Sequence, residues 1–374
     1  MKIVYCMNSL WVAGVEAITV AKANLLSEKG NQVWLVTCCN RYPSSPFPLS
    51  EKVVLRGIDF RDYKFPWNFL HLVFGLKKKL YELLCEIEPD VVISTGGVDK
   101  WIVPLRKSSW STVREIHSVH DYRRYSNGSW RKKLSLRVGE FLEYKLINRF
   151  DRIVVLTEEA RASWKSKANV CVIPDFCRFT STSITQHVNK RIIAVGRMAD
   201  EKNYPSLLRI VRIVFDRYPD WRLDILGDGA DRPVIEDLIN HYSLRDNVFL
   251  QGRQTNVQEW MAESSMMVLT SKYEGFAMVL VEAMTCGLPV VSYACPVGPK
   301  SIISDGVDGF LVPPGDEEAF ASRICELIAD RTLRRRMGSE AIKKAERFKP
   351  ETVITQWVDL FKQLRLEKKG LNGL

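Results

Sequence analysis

At 374 residues the chain exceeds what one hydrophobic core comfortably serves, and two domains are the natural division. Hydrophobic residues make up 46% and charged residues 26%, an ordinary balance for a soluble globular protein. Nine cysteines, an odd number with an adjacent Cys38 and Cys39 and no CxxC, argue for free thiols in a reducing cytosol and against a disulfide framework or a zinc site. The opening "MKIVYCMNSLW" has no leader-like apolar region, and no apolar run reaches the roughly 18 residues of a membrane span, so neither a signal peptide nor a transmembrane helix is expected. The formal net charge of +10 sits in one half: residues 1–180 hold 28 Lys and Arg against 18 Asp and Glu, while 181–374 hold 26 of each. A one-sided basic field suits an acidic partner, whether an anionic membrane, a phosphorylated acceptor or nucleic acid; a merely solubilising surface accounts for it equally well.

In chain order, "MKIVYCMN" reads as a strand, "VEAITVAKANLLSEKG" as a helix ending at Gly30, and "NQVWLVTCC" as the next strand. "PDVVIST", "TVREIHS" and "FDRIVVLTEEA" follow as strands, each closed by a break. The polar, Ser/Thr-rich stretch Arg178–Arg191 lacks apolar periodicity and reads as the linker. "RIIAVGRM" then opens a second half built like the first, with strands in "WRLDILGDG", "DNVFLQGR", "SMMVLTSKY", "LPVVSYA" and "DGFLVPPGD". Alternation of this kind predicts an α/β fold of two doubly wound, Rossmann-like parallel-sheet domains. Ligands of such sheets bind beyond the carboxyl ends of the strands, so two facing domains are expected to form a cleft there.

The unusual residues fall on those strand-end loops. In "YEGFAMVLVEAMTCGLPVV", Glu274 precedes an apolar helix and Glu282 lies eight residues later inside it. A helix start offers unpaired N–H groups, Gly275 permits close backbone approach, and two carboxylates suit the vicinal hydroxyls of a sugar or other polyol. Charges complementing the helix dipole are the plainer reading. In "VGRMADEKNY", Arg197 and Lys202 suit a diphosphate and the charge that grows on a leaving group; routine surface charges are the alternative. "ILGDG" and the end of "FLQGR" at Arg253 are weaker cases of the same kind. Gly14, on the loop after the first strand, can approach a phosphate, although no G-x-G-x-x-G is present. His117 closes an apolar strand and can hydrogen-bond a substrate or carry a proton. With His120 and Asp121 it fits no zinc spacing, and no metal is expected. The aromatic-rich run Phe65–Leu80 leads into Lys77, Lys78 and Lys79, and the basic segment Arg123–Arg149 holds Arg123, Arg124, Arg131, Lys132 and Lys133. Aromatic and basic residues together suit anionic headgroups or single-stranded nucleic acid; ordinary helices with basic outer faces explain them as well.

Together these features resemble the glycosyltransferase family 4 group, retaining nucleotide-sugar enzymes of the two-Rossmann GT-B fold. The resemblance covers almost the whole chain and is strongest from Ile192 to Asp316. It rests on the E-x7-E pair Glu274 and Glu282, on Val195-Gly196-Arg197 with Lys202, and on "YEGFAMVLVEAMTCGLPVVSYACPVGPKSIISDGVDGFLVPPGD", which is similar to bacterial enzymes of capsule, O-antigen and exopolysaccharide assembly. It implies that Glu274 and the amides of Gly275, Phe276, Ala277 and Met278 meet the donor sugar and phosphate, that Glu282 binds the ribose, and that Arg197 and Lys202 hold the diphosphate. It places Gly14 near the phosphate and His117 near the transferred sugar, with no metal or other cofactor needed. It also implies an acceptor-binding domain over 1–180, a donor-binding domain over 190–345, and a final helix within 346–374 crossing back to the first. The first glycine loop departs from the family pattern, with Ala13-Gly14-Val15 for paired glycines and Ala17 for an Arg.

The function expected is that of a cytoplasmic, membrane-peripheral hexosyltransferase moving a sugar from a nucleotide sugar, a UDP-sugar, to a polyprenyl-diphosphate-linked saccharide in surface polysaccharide synthesis. No nucleic-acid partner is expected, since no recognised module accompanies the basic half. With no second carboxylate evident near His117, retention is expected to proceed by front-face substitution. A sugar-nucleotide epimerase of the same build and a non-catalytic membrane-docked scaffold are the alternatives.

Overall fold

The apolar runs of the sequence become the central strands of two parallel sheets. The computed structural model describes residues 1–10, 14–38, 45–58, 69–96, 99, 103, 109–117, 146–164, 169–179 and 183–372. The chain divides into two units, Met1–Pro174 with Val353–Leu374, and Asp175–Thr352.

Among the described residues the first unit contains β1 (Lys2–Met7), α1 (Gly14–Glu28), β2 (Gln32–Thr37), β3 (Val53–Gly57), α2 (Phe69–Ile87), β4 (Val91–Ser94), β5 (Ser111–Ile116), β6 (Arg152–Val155), α3 (Glu158–Ala162) and β7 (Val170–Val172). The strands form one parallel sheet in the order β3-β2-β1-β4-β5-β6-β7. Ile3, Val4, Tyr5 and Cys6 of β1 are wholly buried, as expected of a central strand covered on both faces. The order reverses between β1 and β4, which is the switch point of a doubly wound sheet. The two strands that the apolar pattern does not reveal, β3 and β7, are the edges. Each is short and partly exposed, so neither carries the continuous apolar signal of a buried strand.

The second unit contains β8 (Arg191–Val195), α4 (Tyr204–Arg217), β9 (Arg222–Leu226), α5 (Arg232–His241), β10 (Val248–Gly252), α6 (Val257–Ala262), β11 (Met266–Leu269), α7 (Met278–Thr285), β12 (Val290–Tyr293), α8 (Pro299–Ile302), β13 (Gly309–Val312), α9 (Glu317–Ala329) and α10 (Arg331–Ala345). Its sheet runs β10-β9-β8-β11-β12-β13, again parallel, with the switch point between β8 and β11. Ile192, Ile225, Met266, Val268 and Val291 from the sheet pack with Leu207, Val211 and Val214 of α4 and Phe320 and Ile324 of α9.

The expected linker requires correction. Its residues from 183 onward are built into the second unit. Thr185 and His187 are buried, Thr185 Oγ donates to the Ser264 carbonyl, and Asn189 Nδ2 donates to the Glu263 carbonyl at 2.8 Å. Polar side chains here satisfy backbone groups, so the absence of apolar periodicity does not mean an open connector.

The last helix, α11 (Pro350–Asn372), sends Val353, Ile354, Trp357, Phe361 and Leu364 inward, a stripe at helical spacing. From Val353 onward it belongs to the first unit. Its polar side is fastened there by Arg365 to Asp90 at 3.2 Å and Glu367 to Arg152 at 2.6 Å. Trp357 is fully buried, tilted against Phe361 with ring centroids 5.6 Å apart. Trp357→Ala is expected to cost about 3–5 kcal/mol by cavity formation, read as a lower midpoint in urea denaturation; a change under about 1 kcal/mol would show that α11 is not part of the cooperative core.

Candidate active site

The switch point of the second sheet has a particular chemistry. Lys202 comes from the loop after β8 and Glu274 from the loop after β11, the two strands flanking the reversal. The Lys202 ammonium donates to Glu274 Oε1 at 2.7 Å, with both side chains largely shielded. An ammonium has three protons, so this bond leaves donors on Lys202 for an incoming oxygen.

Close backbone packing holds the loops in place. Gly227 has φ +134°, and a Cβ there would lie 2.0 Å from the Gly196 carbonyl oxygen. A Cβ on Gly229 would lie 2.2 Å from the Met198 carbonyl oxygen. The loop after β9 is thus pressed onto the loop carrying Arg197, and the weak "ILGDG" motif acts as a support. Tyr204 donates from its hydroxyl to the Gly196 carbonyl at 3.0 Å, and Thr270 donates to the Lys202 carbonyl at 3.1 Å. The Lys272 amide donates to the Glu201 carbonyl at 2.8 Å. Arg197 is exposed and reaches Glu201, one helical turn on, so its guanidinium is positioned at the rim.

The stretch after Glu274 enters α7 under strain. Ala277 sits at φ 71°, ψ 55°, and no side chain caps the helix start at Met278. A left-handed alanine costs of order 1–2 kcal/mol, and such strain clusters at functional sites. Phe276 points inward, edge-on to Phe348 with centroids 5.5 Å apart, so it offers its backbone and not its ring. Gly298, at φ +101°, packs against the same stretch: a Cβ there would be 2.7 Å from the Phe276 carbonyl oxygen. Glu282 is half-buried on α7. Burial raises its pKa, opposed by Arg178.

A lysine, a carboxylate, a strained uncapped helix start and bare glycine backbone thus meet at one switch point, the place where doubly wound sheets bind their ligands. Residues 12–176 match the family model described as Glycosyltransferase Family 4, and residues 183–344 match Glycosyl transferases group 1. The chain belongs to glycosyltransferase family 4. An uncharacterized glycosyltransferase of Haemophilus influenzae is 26% identical over 357 residues, covering 94% of this chain and 97% of the relative. The amylovoran biosynthesis glycosyltransferase AmsD of Erwinia amylovora is 30% identical, covering 56% of this chain and 62% of AmsD. The structure of Anabaena HepE in complex with UDP and glucose superposes with a TM-score of 0.75 at 18% identity, over 97% of this chain and 100% of that one; this likeness supports the GT-B fold. The activity class of this family-4 chain is therefore glycosyl transfer.

In the first unit of this glycosyltransferase, His117 Nε2 lies 3.1 Å from Glu115 Oε1. Glu115 also binds the ammonium of Lys22, with both side chains of that pair buried. This corrects the expectation that no carboxylate lies near His117. His117 directly follows β5, two positions beyond Glu115 and so on the same side of the extended chain, which the sequence shows once the strand is located. Burial raises the Glu115 pKa, but Lys22 and His117 outweigh it and hold the carboxylate well below its usual range. Lys22 and His117 thus converge on one oxygen, Oε1, of a carboxylate sealed from solvent.

The remaining expected residues are dispersed. Gly14 is the exposed first residue of α1. Arg253 is exposed after β10, separated from β8 by β9 in the sheet order. On α2, Lys78 and Lys79 are exposed and Lys77 is half-buried, beside the buried Leu76 and Leu80. Arg123, Arg124, Arg131, Lys132, Lys133, His120 and Asp121 lie outside the described residues. Among the described residues no helix is long and apolar enough to cross a membrane. The sequence reading missed Tyr204, Thr270 and Gly298, whose roles arise from contacts between loops distant in sequence.

The raised pKa of Glu282 fixes a sign. Its folded-state value lies above the ordinary 4.5, so the folded state binds the proton more tightly, and stability falls as pH rises from about 4.5 through the folded value. Glu282→Gln is expected to be near neutral at pH 4 and stabilising at pH 7.5; urea melts at the two pH values decide it, and equal effects at both would refute the assignment.

Proposed function

We propose that this enzyme transfers a hexose from a nucleoside diphosphate sugar, a UDP-sugar, to a polyprenyl-diphosphate-linked saccharide, with retention of anomeric configuration, in capsule or exopolysaccharide assembly. The observation that carries this reading is the Lys202–Glu274 contact at the switch point. In it a cation suited to a diphosphate stands next to a carboxylate suited to sugar hydroxyls. The UDP choice is supported by HepE, whose complex holds UDP and glucose, and the polysaccharide setting by the name of AmsD.

In the proposed mechanism the bond from the sugar's anomeric carbon to the diphosphate oxygen breaks as the acceptor hydroxyl approaches from the same face. The departing oxygen takes the acceptor's proton. Lys202 and Arg197 neutralise the charge that grows on the leaving diphosphate, and these side-chain cations make a metal unnecessary. Glu274 accepts hydrogen bonds from sugar hydroxyls, and the amides at the start of α7, from Gly275 to Met278, approach the sugar and phosphate. Glu282 binds the ribose. In the first unit His117, oriented by Glu115, serves the sugar hydroxyls, and Gly14 the phosphate. The basic surface carrying Lys77, Lys78 and Lys79 seats the enzyme on the anionic inner face of the cell membrane.

Lys202→Ala and Glu274→Gln are each expected to lower turnover about 10²–10³-fold. UDP at a hundredfold excess over its dissociation constant is expected to stabilise the wild type by about 2.7 kcal/mol, an increment reduced in Lys202→Ala. Turnover within a few-fold of wild type in Lys202→Ala would remove the diphosphate role. Replacing Lys77, Lys78 and Lys79 with alanine is expected to weaken co-sedimentation with anionic liposomes; binding equal to that on neutral liposomes would dismiss membrane docking.

A further inference from the structure

A second polar cavity lies in the same unit, on residues that donor binding does not use. It has a volume of about 270 Å³, and its lining includes His187, Gly287, Arg331, Arg335, Gly338 and Ser339. Arg331, Arg335 and Ser339 are spaced four residues apart along α10 and lie on one side of it. Arg331 and Arg335 are exposed at its rim. Asp330, next to Arg331, is committed to the Leu333 amide at 2.9 Å, and Arg331 Nη2 donates to the Gln186 carbonyl at 3.1 Å, which leaves its other guanidinium protons for a ligand.

The floor is a buried histidine held in an unfavourable conformation. His187 has φ 54° and is buried. Two fastenings keep it there. Arg334, itself buried, donates to the His187 carbonyl at 3.1 Å, and the Thr185 hydroxyl accepts from the His187 amide at 3.1 Å. The ring is oriented by Nδ1, which lies 3.3 Å from the Ser265 carbonyl oxygen. A carbonyl only accepts, so Nδ1 carries the proton and Nε2 of the neutral ring presents a lone pair. Burial, with added repulsion from Arg334, Arg331 and Arg335, pushes the His187 pKa down to about 4, which keeps that lone pair available near neutral pH. Nε2 lies beside Gly338, where an added Cβ would come within 2.9 Å of it. Gly338 is pressed against the Gly287 carbonyl oxygen, 2.2 Å from where its Cβ would be, and His187 lines the cavity beside it.

Two guanidinium groups and one obligate acceptor specify an anion that also carries a proton; the Ser339 hydroxyl is spent on the Arg335 carbonyl at 3.0 Å. We propose that this cavity binds a phosphate group, free or on a small phosphomonoester, with Arg331 and Arg335 on its charge and His187 Nε2 on its protonated oxygen. Sulfate has the same tetrahedral shape but no proton to give, so the buried acceptor rejects it. The cavity adjoins Gly287 at the end of α7, the helix that begins at the donor site, and the Thr185 amide donates to the Cys286 carbonyl there at 3.0 Å.

The test is calorimetric titration of the full chain at pH 6 with sodium phosphate, sodium sulfate and glycerol 3-phosphate at matched ionic strength. Phosphate is expected to bind at least tenfold more tightly than sulfate. The double replacement Arg331→Ala with Arg335→Ala is expected to weaken phosphate at least tenfold, while Lys202→Ala leaves it unchanged. A glycerol 3-phosphate affinity above that of phosphate identifies an ester as the occupant, and one at or below it identifies the free anion. Both arginines are exposed, and replacing Arg331 removes one surface hydrogen bond to the Gln186 carbonyl, so the double variant is expected to melt close to the wild type without ligand. Equal binding of sulfate and phosphate, no phosphate binding at millimolar concentration, survival of binding in the double variant, or its loss in Lys202→Ala would each overturn the site.

Discussion

The ion pair between Lys202 and Glu274 is the contact on which the rest of the second unit's chemistry depends. A shielded pair gains little net stability, because desolvating both charges offsets most of their attraction. Its value here is placement. The strands that precede it, β8 and β11, carry their chain away to opposite sides of the sheet order, so the loops between them open a crevice by topology alone. The pair spans that crevice and fixes both loops against each other. Gly227, Gly229 and Gly298 then have to be glycines, since the backbone they face leaves no room for a Cβ. Tyr204 and Thr270 complete the frame by satisfying carbonyls that the irregular loops leave unpaired.

The two units use buried charge in opposite ways. In the first, Lys22, Glu115 and His117 form a closed chain of partners, backed by the Trp357 ring 5.1 Å from the Lys22 ammonium. Charges so enclosed orient one another and hold a single side chain, His117, in place. In the second, Glu282 carries a raised pKa, with Arg178 as its opposing charge, and Ala277 holds a backbone conformation that suits glycine better. Both are local losses of stability carried by a well-packed core, the usual sign that a segment is shaped for a ligand.

How much of this was legible in the sequence follows from the range of each interaction. The central strands were, because a parallel strand buried on both faces must be an apolar run. Glu274, Glu282, Arg197 and Lys202 stood out because charged residues beside such runs need a reason. The contact between Lys202 and Glu274 was not legible, since 72 positions separate them, and neither was Glu115 as the partner of Lys22, 93 positions away. Gly298 was hidden among ordinary turn residues, and only the carbonyl facing it shows why it is needed. The misplaced linker has the same origin: Thr185 and His187 look like connector residues until Ser264, Ser265 and Arg334 are brought against them.

The edges of the first sheet carry a further consequence. Among the described residues it ends in β3, of five residues, and β7, of three. An outermost strand offers unpaired amides and carbonyls on which a foreign chain can lay another strand. Three residues give such a chain almost no purchase, and Arg56 places an exposed charge toward the end of the longer edge. The shortness that concealed these strands from an apolar-pattern reading therefore also guards a basic, Val-rich sheet against edge-to-edge aggregation.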